Sequence, residues 1–216
     1  MIRLHHIQGS RSMRILWLLE ELGLDYDLRG WSLTDGSLRT AEFVALSPAA
    51  RIPALEIDGR TIFESGAIAQ YLTEREGRLA PKPGDPERAD FLEWVHFAET
   101  QGNHLQQLNI SHIFLRPESA RSIPLMRLET KRLAVTAGAI DRRLAGRDTL
   151  LDAGFTAADC MMAFNLDALG RFLRLDEYPA LAAYRDRMTA RPAYLRAVEK
   201  GGPSLYARDF YEVPDA

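Results

Sequence analysis

Residues 51–66 read RIPALEIDGRTIFESG, and this stretch predicts a β-hairpin followed by a helix. Two short β-like runs stand on either side of Asp58-Gly59. An Asp-Gly pair between two such runs is a strong signal for a two-residue hairpin turn. The stretch also contains an X-Pro bond before the first strand and a Glu-Ser pair after the second, where a helical pattern begins.

The sequence before the hairpin alternates between strand and helix patterns. Residues 2–7 and 26–31 are short strand candidates, and residues 10–22 have apolar side chains at helical intervals. Gly23 stands where a left-handed glycine commonly ends a helix. The order strand, helix, strand, helix, hairpin, helix predicts a mixed sheet with helices packed on it. We therefore expect residues 1–78 to form a small α/β domain.

The chain changes character after residue 78. Residues 79–86 contain three prolines and a glycine, a composition that is typical of a linker. Beyond the linker the patterns are helical, and Thr156-Ala157-Ala158-Asp159 has the form of a capping box at a helix start. The sequence therefore predicts an all-α domain over residues 87–216. Its predicted helices span 87 to about 114, 122–144, a segment from 156, 179–189 and 192–199.

Composition and charge exclude several classes of protein. The 216 residues are 46% hydrophobic and 26% charged, with a net charge of −3, so we expect neither nucleic acid nor an anionic membrane as a partner. Cys160 is the single cysteine, and one thiol forms neither an internal disulfide nor a Cys-x-x-Cys pair. No uncharged apolar run approaches the ~20 residues of a membrane span. The chain starts with Met-Ile-Arg-Leu-His-His where a signal peptide would be apolar, so a cytoplasmic protein is expected.

The turn from Gln8 to Arg14 is the first candidate site. It lies at the start of the first predicted helix, where unpaired N–H groups and a partial positive charge favour an anion. A serine hydroxyl at this place, from Ser10 or Ser12, would donate a hydrogen bond to a thiolate and lower the pKa of the thiol. The alternative is that the serine only caps the helix.

Two further candidates flank the hairpin. The Ile52-Pro53 bond, taken alone, is expected to be trans, whereas a cis bond would turn the preceding backbone outward as an edge for a peptide-like ligand. At the other end, Ser65 and the free N–H groups of a helix start would hold a carboxylate, with Glu64 placed to accept from an ammonium group. The alternative at that end is a capping serine beside a solvated glutamate.

Three segments in this order resemble the cytosolic glutathione transferase family. They are a serine-bearing turn with a helix ending in Leu-Glu-Glu-Leu-Gly-Leu, the run Leu-Ser-Pro-Ala-Ala-Arg-Ile-Pro-Ala-Leu at 46–55, and Phe-Glu-Ser-Gly-Ala-Ile at 63–68. Residues 155–159 are similar to a motif of the family's helical domain. The resemblance implies a thioredoxin-like α/β N-terminal domain and an all-α C-terminal domain, with a serine-type active site.

The resemblance also implies roles for particular residues, with glutathione as the co-substrate. Pro53 matches the family's cis-proline, and Ile52 would pair its backbone with the cysteinyl unit of glutathione. Glu64 and Ser65 match the pair that holds the γ-glutamyl end, and Arg51 is placed to meet the glycyl carboxylate. Ser10 is similar to the serine that activates the thiol, with Ser12 as the reserve candidate.

The residues of the turn also bear on the reaction. Because the turn has no cysteine, glutathione itself must supply the thiolate, and a small, largely apolar electrophile is the expected second substrate. The resemblance places an electrophile pocket along the C-terminal helices, with His104 and His112 as candidate contacts. It also implies a homodimer and a detoxification role. A metal site is not expected, because histidines spaced by eight residues do not share one helix face.

Two functional alternatives and one structural question remain from the sequence. One is a non-catalytic relative that only binds ligands or other proteins, because a fold does not fix a function. Another is an isomerase, dehalogenase or peroxidase that uses the same glutathione thiolate. The tail with Tyr206, Phe210 and Tyr211 either folds over the substrate pocket or covers the helical core.

Overall fold

The computed structural model describes residues 1–213, which form four strands and eight α-helices. The strands are β1 (Arg3–His6), β2 (Asp27–Gly30), β3 (Ala54–Ile57) and β4 (Arg60–Phe63). The helices are α1 (Ser12–Leu22), α2 (Ala41–Leu46), α3 (Ser65–Glu76), α4 (Arg88–Asn109), α5 (Ile123–Leu144), α6 (Ala157–Leu169), α7 (Pro179–Thr189) and α8 (Pro192–Gly201). Every strand and helix expected from the sequence is present, with shifts of a few residues at the ends.

The four strands form one mixed sheet in the order β2-β1-β3-β4. β1 and β2 are parallel, whereas β3 runs antiparallel to both β1 and β4. The predicted hairpin is confirmed, because Ile57 pairs with Arg60 across a turn in which Asp58 has φ 52° and Gly59 has φ 75°. Two positive φ values are what a twisted two-residue hairpin requires, and Asp-Gly adopts them at low cost.

Helix α1 lies in the core of the first part of the chain. Its central residues Ile15, Leu16, Trp17, Leu18 and Leu19 are all buried. The helix ends where the sequence predicts, because Gly23 is left-handed with φ 64° and its N–H bonds the Glu20 carbonyl. It begins at Ser12, so Ser10 lies in the turn that precedes it.

The chain divides into two compact units whose limits differ from the predicted domains. The first unit contains residues 1–88 and 189–205, and the second contains residues 89–188 and the tail from Tyr206. Helix α8, which the sequence placed in the all-α domain, thus packs within the α/β unit. The reason is its contact with α1, where the Tyr194 ring meets Trp17 edge-on at 5.0 Å and Arg191 bonds both carboxylate oxygens of Glu21.

The second unit is helical, with α4 to α7 as its main elements. A widened helical turn at residues 110–114 extends α4 to the predicted end near residue 114. The aromatic tail belongs to this unit, because the Tyr211 ring lies 5.7 Å from Phe172 and 5.6 Å from His112. Tyr206 also contacts the Phe172 ring, at 6.3 Å. The contacts of Tyr206 and Tyr211 therefore favour a tail that covers the helical core.

The first unit has the mixed sheet and flanking helices of a thioredoxin-like domain, and the second provides the helical C-terminal domain. Between residues 1 and 213, no helix combines the length and the apolar character that a membrane span needs.

Candidate active site

Three segments that the sequence singles out meet at one end of the sheet. β1 pairs His5 with Ala54 of β3, and Ala54 pairs in turn with Phe63 of β4. The turn before α1 follows the end of β1, the Ile-Pro bond directly precedes Ala54, and the Glu-Ser pair directly follows Phe63. Strand pairing within the first unit therefore brings the three candidate segments together, although Ser10 and Ser65 are 55 positions apart in the chain.

The turn before α1 combines a helix cap with an accessible hydroxyl. The Ser10 side chain is half-buried, and its Oγ accepts a hydrogen bond from the Ser12 N–H at 3.3 Å. Its Oγ also lies 2.7 Å from the Ser12 Oγ. The first turn of α1 contains no acidic residue, so the partial positive charge at this end is not offset by a carboxylate within that turn. Ser10 therefore serves as a cap and also reaches the surface.

Ser12, the reserve candidate, has no exposed surface. Its Oγ lies 2.8 Å from His6 Nδ1 and accepts from the Ile7 N–H at 3.3 Å. A side chain in this position is separated from any dissolved ligand by its neighbours. The greater exposure of Ser10 favours it over Ser12 as the serine that contacts a ligand.

His6 lies at the end of β1 and is 5% exposed. Burial lowers the pKa of its imidazole, and a hydrogen bond between Nε2 and the Gly201 carbonyl, at 2.9 Å, opposes that effect. The carbonyl belongs to the last residue of α8. His6 is thus held between α1 and the end of α8, behind the serine turn.

The segment before β3 has the geometry that the resemblance implies. The Ile52-Pro53 bond is cis, which confirms that expectation. Pro53 is buried, Ile52 is half-buried and Arg51 is exposed. Ile52 lies outside the paired register of β3, which begins at Ala54, so its backbone is placed as an edge beyond the sheet. The Arg51 N–H donates to Ser47 Oγ at 3.3 Å.

The start of α3 shows a strained residue followed by a buried hydroxyl. Glu64 is exposed and has φ 69°, a value that costs a non-glycine residue of order 1–3 kcal/mol and is often found at ligand sites. Ser65 is 4% exposed, and its Oγ accepts a hydrogen bond from Arg14 Nη1 at 3.1 Å. Because a guanidinium only donates, the O–H of Ser65 is left to donate to another acceptor.

Arg14 closes the predicted turn, but sequence reasoning assigned it no role in the site. It is fully buried in α1, and it links α1 to the start of α3 through Ser65. A buried guanidinium adds positive charge below the place where a carboxylate would bind. The available signal was an arginine within an otherwise apolar helical run, because such a charge is buried only when it has partners.

The two histidines predicted for the electrophile pocket lie in the second unit. His104 Nδ1 is 2.7 Å from Glu129 Oε2, a buried carboxylate on α5. The His112 ring is buried against Phe172, and burial lowers its pKa. Each histidine thus has a place within the helical unit, and their contact with a substrate stays a prediction.

The described part of the chain holds neither a cluster of metal ligands nor an exposed thiol. Residues 1–213 contain no group of three or more His, Cys, Asp or Glu side chains placed to hold a metal ion. Cys160 forms no disulfide and is fully buried in α6. A protein thiol that is buried in this way does not reach a dissolved substrate.

Comparisons with known proteins agree with this arrangement. Residues 1–74 match the family model described as "Glutathione S-transferase, N-terminal domain", and residues 108–192 match "Glutathione S-transferase, C-terminal domain". Glutathione S-transferase 3 of Schizosaccharomyces pombe is 31% identical over 214 residues, covering 93% of this chain and 88% of the relative. The disulfide-bond oxidoreductase YfcG of Escherichia coli is 31% identical over 213 residues, covering 93% and 95%.

A solved structure gives the same fold. The glutathione transferase URE2P6 of Phanerochaete chrysosporium, in complex with oxidised glutathione, aligns with a TM-score of 0.83 and 26% identity over 93% of this chain and 96% of that one. The chain therefore belongs to the glutathione S-transferase family. It is a glutathione transferase, an enzyme whose co-substrate is glutathione.

Proposed function

We propose that Ser10 holds and ionises the thiol of glutathione for attack on a small, largely apolar electrophile. The observation that carries this assignment is the position of Ser10, the half-exposed hydroxyl at the amino end of α1, beside the edge formed by the cis Ile52-Pro53 bond. Ser12 has no exposed surface and its Oγ is engaged by Ile7, Ser10 and His6, which supports Ser10 as the residue in contact.

We place the other parts of glutathione along the same end of the sheet. The Ile52 backbone pairs with the cysteinyl unit, which sets the direction of the ligand along the edge before β3. Ser65 donates to the γ-glutamyl carboxylate, with the buried charge of Arg14 beneath it, and Glu64 accepts from the ammonium group. Arg51 is exposed and meets the glycyl carboxylate.

The chemistry then needs no protein nucleophile. The thiol of glutathione loses its proton, the thiolate attacks an electrophilic carbon, and a carbon–sulfur bond forms as the leaving group departs with the electron pair of its bond. The protein contributes position and the stabilisation of negative charge on sulfur. Removal of one such donor in other enzymes typically lowers kcat by about 10²–10³-fold.

Ser10→Ala tests the assignment, and Ser122→Ala is its matched control. Ser122 caps α5 by accepting from the Leu125 N–H, so its loss removes a helix cap in the other unit. We expect Ser10→Ala to lower kcat about 10²-fold with an aryl halide, while calorimetry shows little change in glutathione affinity. Ser122→Ala should retain turnover. Wild-type turnover in a folded Ser10→Ala protein would contradict the role of Ser10.

Disulfide reduction is a second candidate, because one relative with 31% identity is named a disulfide-bond oxidoreductase. With Cys160 buried, bound glutathione thiolate would attack a disulfide substrate and release one thiolate, and a second glutathione would resolve the mixed disulfide into oxidised glutathione. A panel of aryl halides, hydroperoxides and small disulfides separates the reactions. Tight glutathione binding without turnover on any of them would favour a non-catalytic binding protein.

Assembly and location complete the proposal. We propose a homodimer that acts in the cytoplasm, with detoxification of electrophiles as its role. Sedimentation velocity tests the assembly, because a single species at the mass of one chain over the working concentration range would contradict the dimer. Growth of a strain without the gene on toxic aryl halides tests detoxification, and no loss of resistance would contradict it.

A further inference from the structure

We propose that Ser10, Ser12 and His6 form a proton relay that carries the proton of the glutathione thiol to His6 Nδ1. The inference rests on the proposed function, because it assumes that glutathione binds with its sulfur at Ser10. Ser12 and His6 are positioning residues, since they act on the thiol through Ser10. The distances along the relay are 2.7 Å between the two hydroxyl oxygens and 2.8 Å between Ser12 Oγ and His6 Nδ1.

The far end of the relay fixes the direction of every hydrogen bond. The Gly201 carbonyl only accepts, so His6 Nε2 carries the hydrogen and donates to it. In a neutral imidazole Nδ1 is then an acceptor, and the Ser12 hydroxyl donates to it at 2.8 Å in preference to the Ile7 carbonyl at 3.3 Å. The single hydroxyl hydrogen of Ser12 is already donated to His6. The short contact between the two serines therefore requires Ser10 to donate to Ser12.

This direction leaves the oxygen of Ser10 as an acceptor toward a ligand. The hydroxyl hydrogen of Ser10 points inward to Ser12, and a thiol bound at Ser10 donates its S–H to the Ser10 oxygen. A lone capping serine would be free to turn its hydrogen outward. The resting geometry therefore receives a protonated thiol and has a continuous path for its proton.

The transfer balances within the three side chains. The S–H bond breaks and its proton moves to Ser10 Oγ, the Ser10 hydrogen moves to Ser12 Oγ, and the Ser12 hydrogen moves to His6 Nδ1. Both serines end neutral, sulfur carries a negative charge and the imidazole carries a positive one. Each hydrogen bond then points the opposite way, so Ser10 donates to the thiolate, while His6 still donates to Gly201.

The surroundings of His6 favour the neutral ring at rest, and the end of α8 offsets part of the cost of charging it. Burial lowers the pKa of its imidazole, so the ring is neutral and accepting at neutral pH before glutathione binds. The imidazolium formed by the transfer faces the carboxyl end of α8, where the helix dipole favours a cation. A Cβ at position 201 would meet the end of the flexible Met13 side chain, which would have to shift.

Three titratable or charged groups on the elements around His6 have other partners. His5 on the same strand bonds Glu56, Arg14 on α1 donates to Ser65, and Lys200 on α8 pairs with Glu20. His5 also accepts from Trp31 Nε1, so both of its ring nitrogens are bound away from the serine turn. His6 is therefore the imidazole that the two serines reach.

Counting protons on glutathione binding tests the relay in the wild-type protein. At pH 7, calorimetry in buffers of different ionisation enthalpy gives the protons released, and ultraviolet difference absorbance gives the thiolate formed. The relay predicts thiolate with almost no proton released, because His6 keeps it. Thiolate formed with one proton released per site would overturn the relay. Absence of glutathione binding would instead contradict the proposed function, and binding without any thiolate would contradict both.

Two variants and a control complete the experiment. His6→Asn and Ser12→Ala each break the path, and either should raise the pKa of the bound thiol by about one unit or more, a tenfold loss of thiolate at neutral pH. The thiolate that still forms should release its proton to the buffer. His96→Asn, at an exposed position on α4, should behave as wild type. If both variants fold, bind glutathione and keep the wild-type thiol pKa and proton count, the relay is wrong.

Discussion

The starts of α1 and α6 are built from similar parts and are used differently. At the start of α6, Asp159 is fully buried and accepts from the N–H groups of Leu150 and Thr156, at 3.0 and 2.7 Å, and from the Tyr184 hydroxyl at 2.8 Å. At the start of α1, the chain of hydrogen bonds runs from the buried His6 outward and ends at a half-exposed serine. One helix start is closed and the other is open to solvent.

Charge separates the two helix starts as well. Asp159 places a carboxylate in the first turn of α6, whereas the first turn of α1 contains none. Burial raises the pKa of Asp159, and its hydrogen bonds oppose that effect. In α6 the partial positive charge at the helix start is already offset by a carboxylate of the chain. A helix start without a carboxylate can instead stabilise an anionic group of a ligand. We therefore expect substitutions at the start of α6 to lower the stability of the fold, and substitutions at the start of α1 to lower catalytic activity.

The largest effect is expected from Asp159→Ala. The substitution leaves the Leu150 and Thr156 N–H groups and the Tyr184 hydroxyl without their buried acceptor. Each unsatisfied buried group costs about 1–3 kcal/mol, so we expect a loss of about 3 kcal/mol or more in the free energy of unfolding. Urea denaturation followed by circular dichroism measures it.

Tyr184→Phe serves as the graded control, because it removes one of these hydrogen bonds and keeps the ring. We expect it to cost about 1 kcal/mol. A loss below about 1 kcal/mol for Asp159→Ala would show that the closed helix start contributes no more than an ordinary cap.

The second-largest effect is expected at the start of α3, which combines features of the closed α6 start and the open α1 start. Ser65 is buried like the α6 cap, yet its hydroxyl hydrogen is left for a ligand. Ser65→Ala should weaken glutathione binding by about 1–3 kcal/mol, measured by calorimetry. Ser65→Thr keeps a hydroxyl and should retain more of the affinity. An unchanged dissociation constant in a folded Ser65→Ala protein would argue that Ser65 is only structural.

The same contrast explains how far the sequence leads. The capping box at Thr156 and the hairpin at Asp58-Gly59 are local, because their partners lie within a few positions, and both were predicted correctly. The candidate residues around the cis bond were found through their spacing and the family resemblance. Such features can be predicted from sequence because they depend on the residue types and on their spacing along the chain.

What the sequence did not reveal depends on distant partners. His6 meets Gly201, which is 195 positions away, and Arg14 meets Ser65 at a separation of 51. Helix α8 was assigned to the second domain by chain order, although its contacts with α1 place it in the first unit. A polar residue's role in the interior is set by what folding brings beside it, and one sequence does not contain that information.

A third prediction tests how α8 is held against α1, at the last turn of that helix. Burial raises the pKa of Glu20, but hydrogen bonds from Lys200, Tyr26 and Arg196 outweigh it and lower the pKa to about 2. Since the folded pKa lies below the unfolded one, ionised Glu20 stabilises the fold above about pH 4.5, and this is lost as pH falls toward about 2. Glu20→Gln should therefore lower stability by about 1 kcal/mol at neutral pH.

The measurement is the difference in Tm between wild type and Glu20→Gln. That difference should be present at about pH 6 and shrink at about pH 3, where the unfolded state takes up a proton and the wild type loses its advantage. Glu42→Gln, at an exposed position on α2, controls for the loss of one charge. A Tm difference that is independent of pH would show that the ion pairs around Glu20 do not anchor α8.

The smallest effect compares the two caps directly by their stability. Thr156→Ala removes a buried hydroxyl that bonds Asp159, and caps of this kind are worth about 0.5–2 kcal/mol. Ser10→Ala removes a half-exposed hydroxyl, and water can replace it at the freed Ser12 N–H, so we expect less than about 0.5 kcal/mol. Urea midpoints of the two variants measure the difference. If Ser10→Ala costs as much as Thr156→Ala, the hydroxyl of Ser10 is mainly a cap, and the distinction between a closed and an open helix start fails.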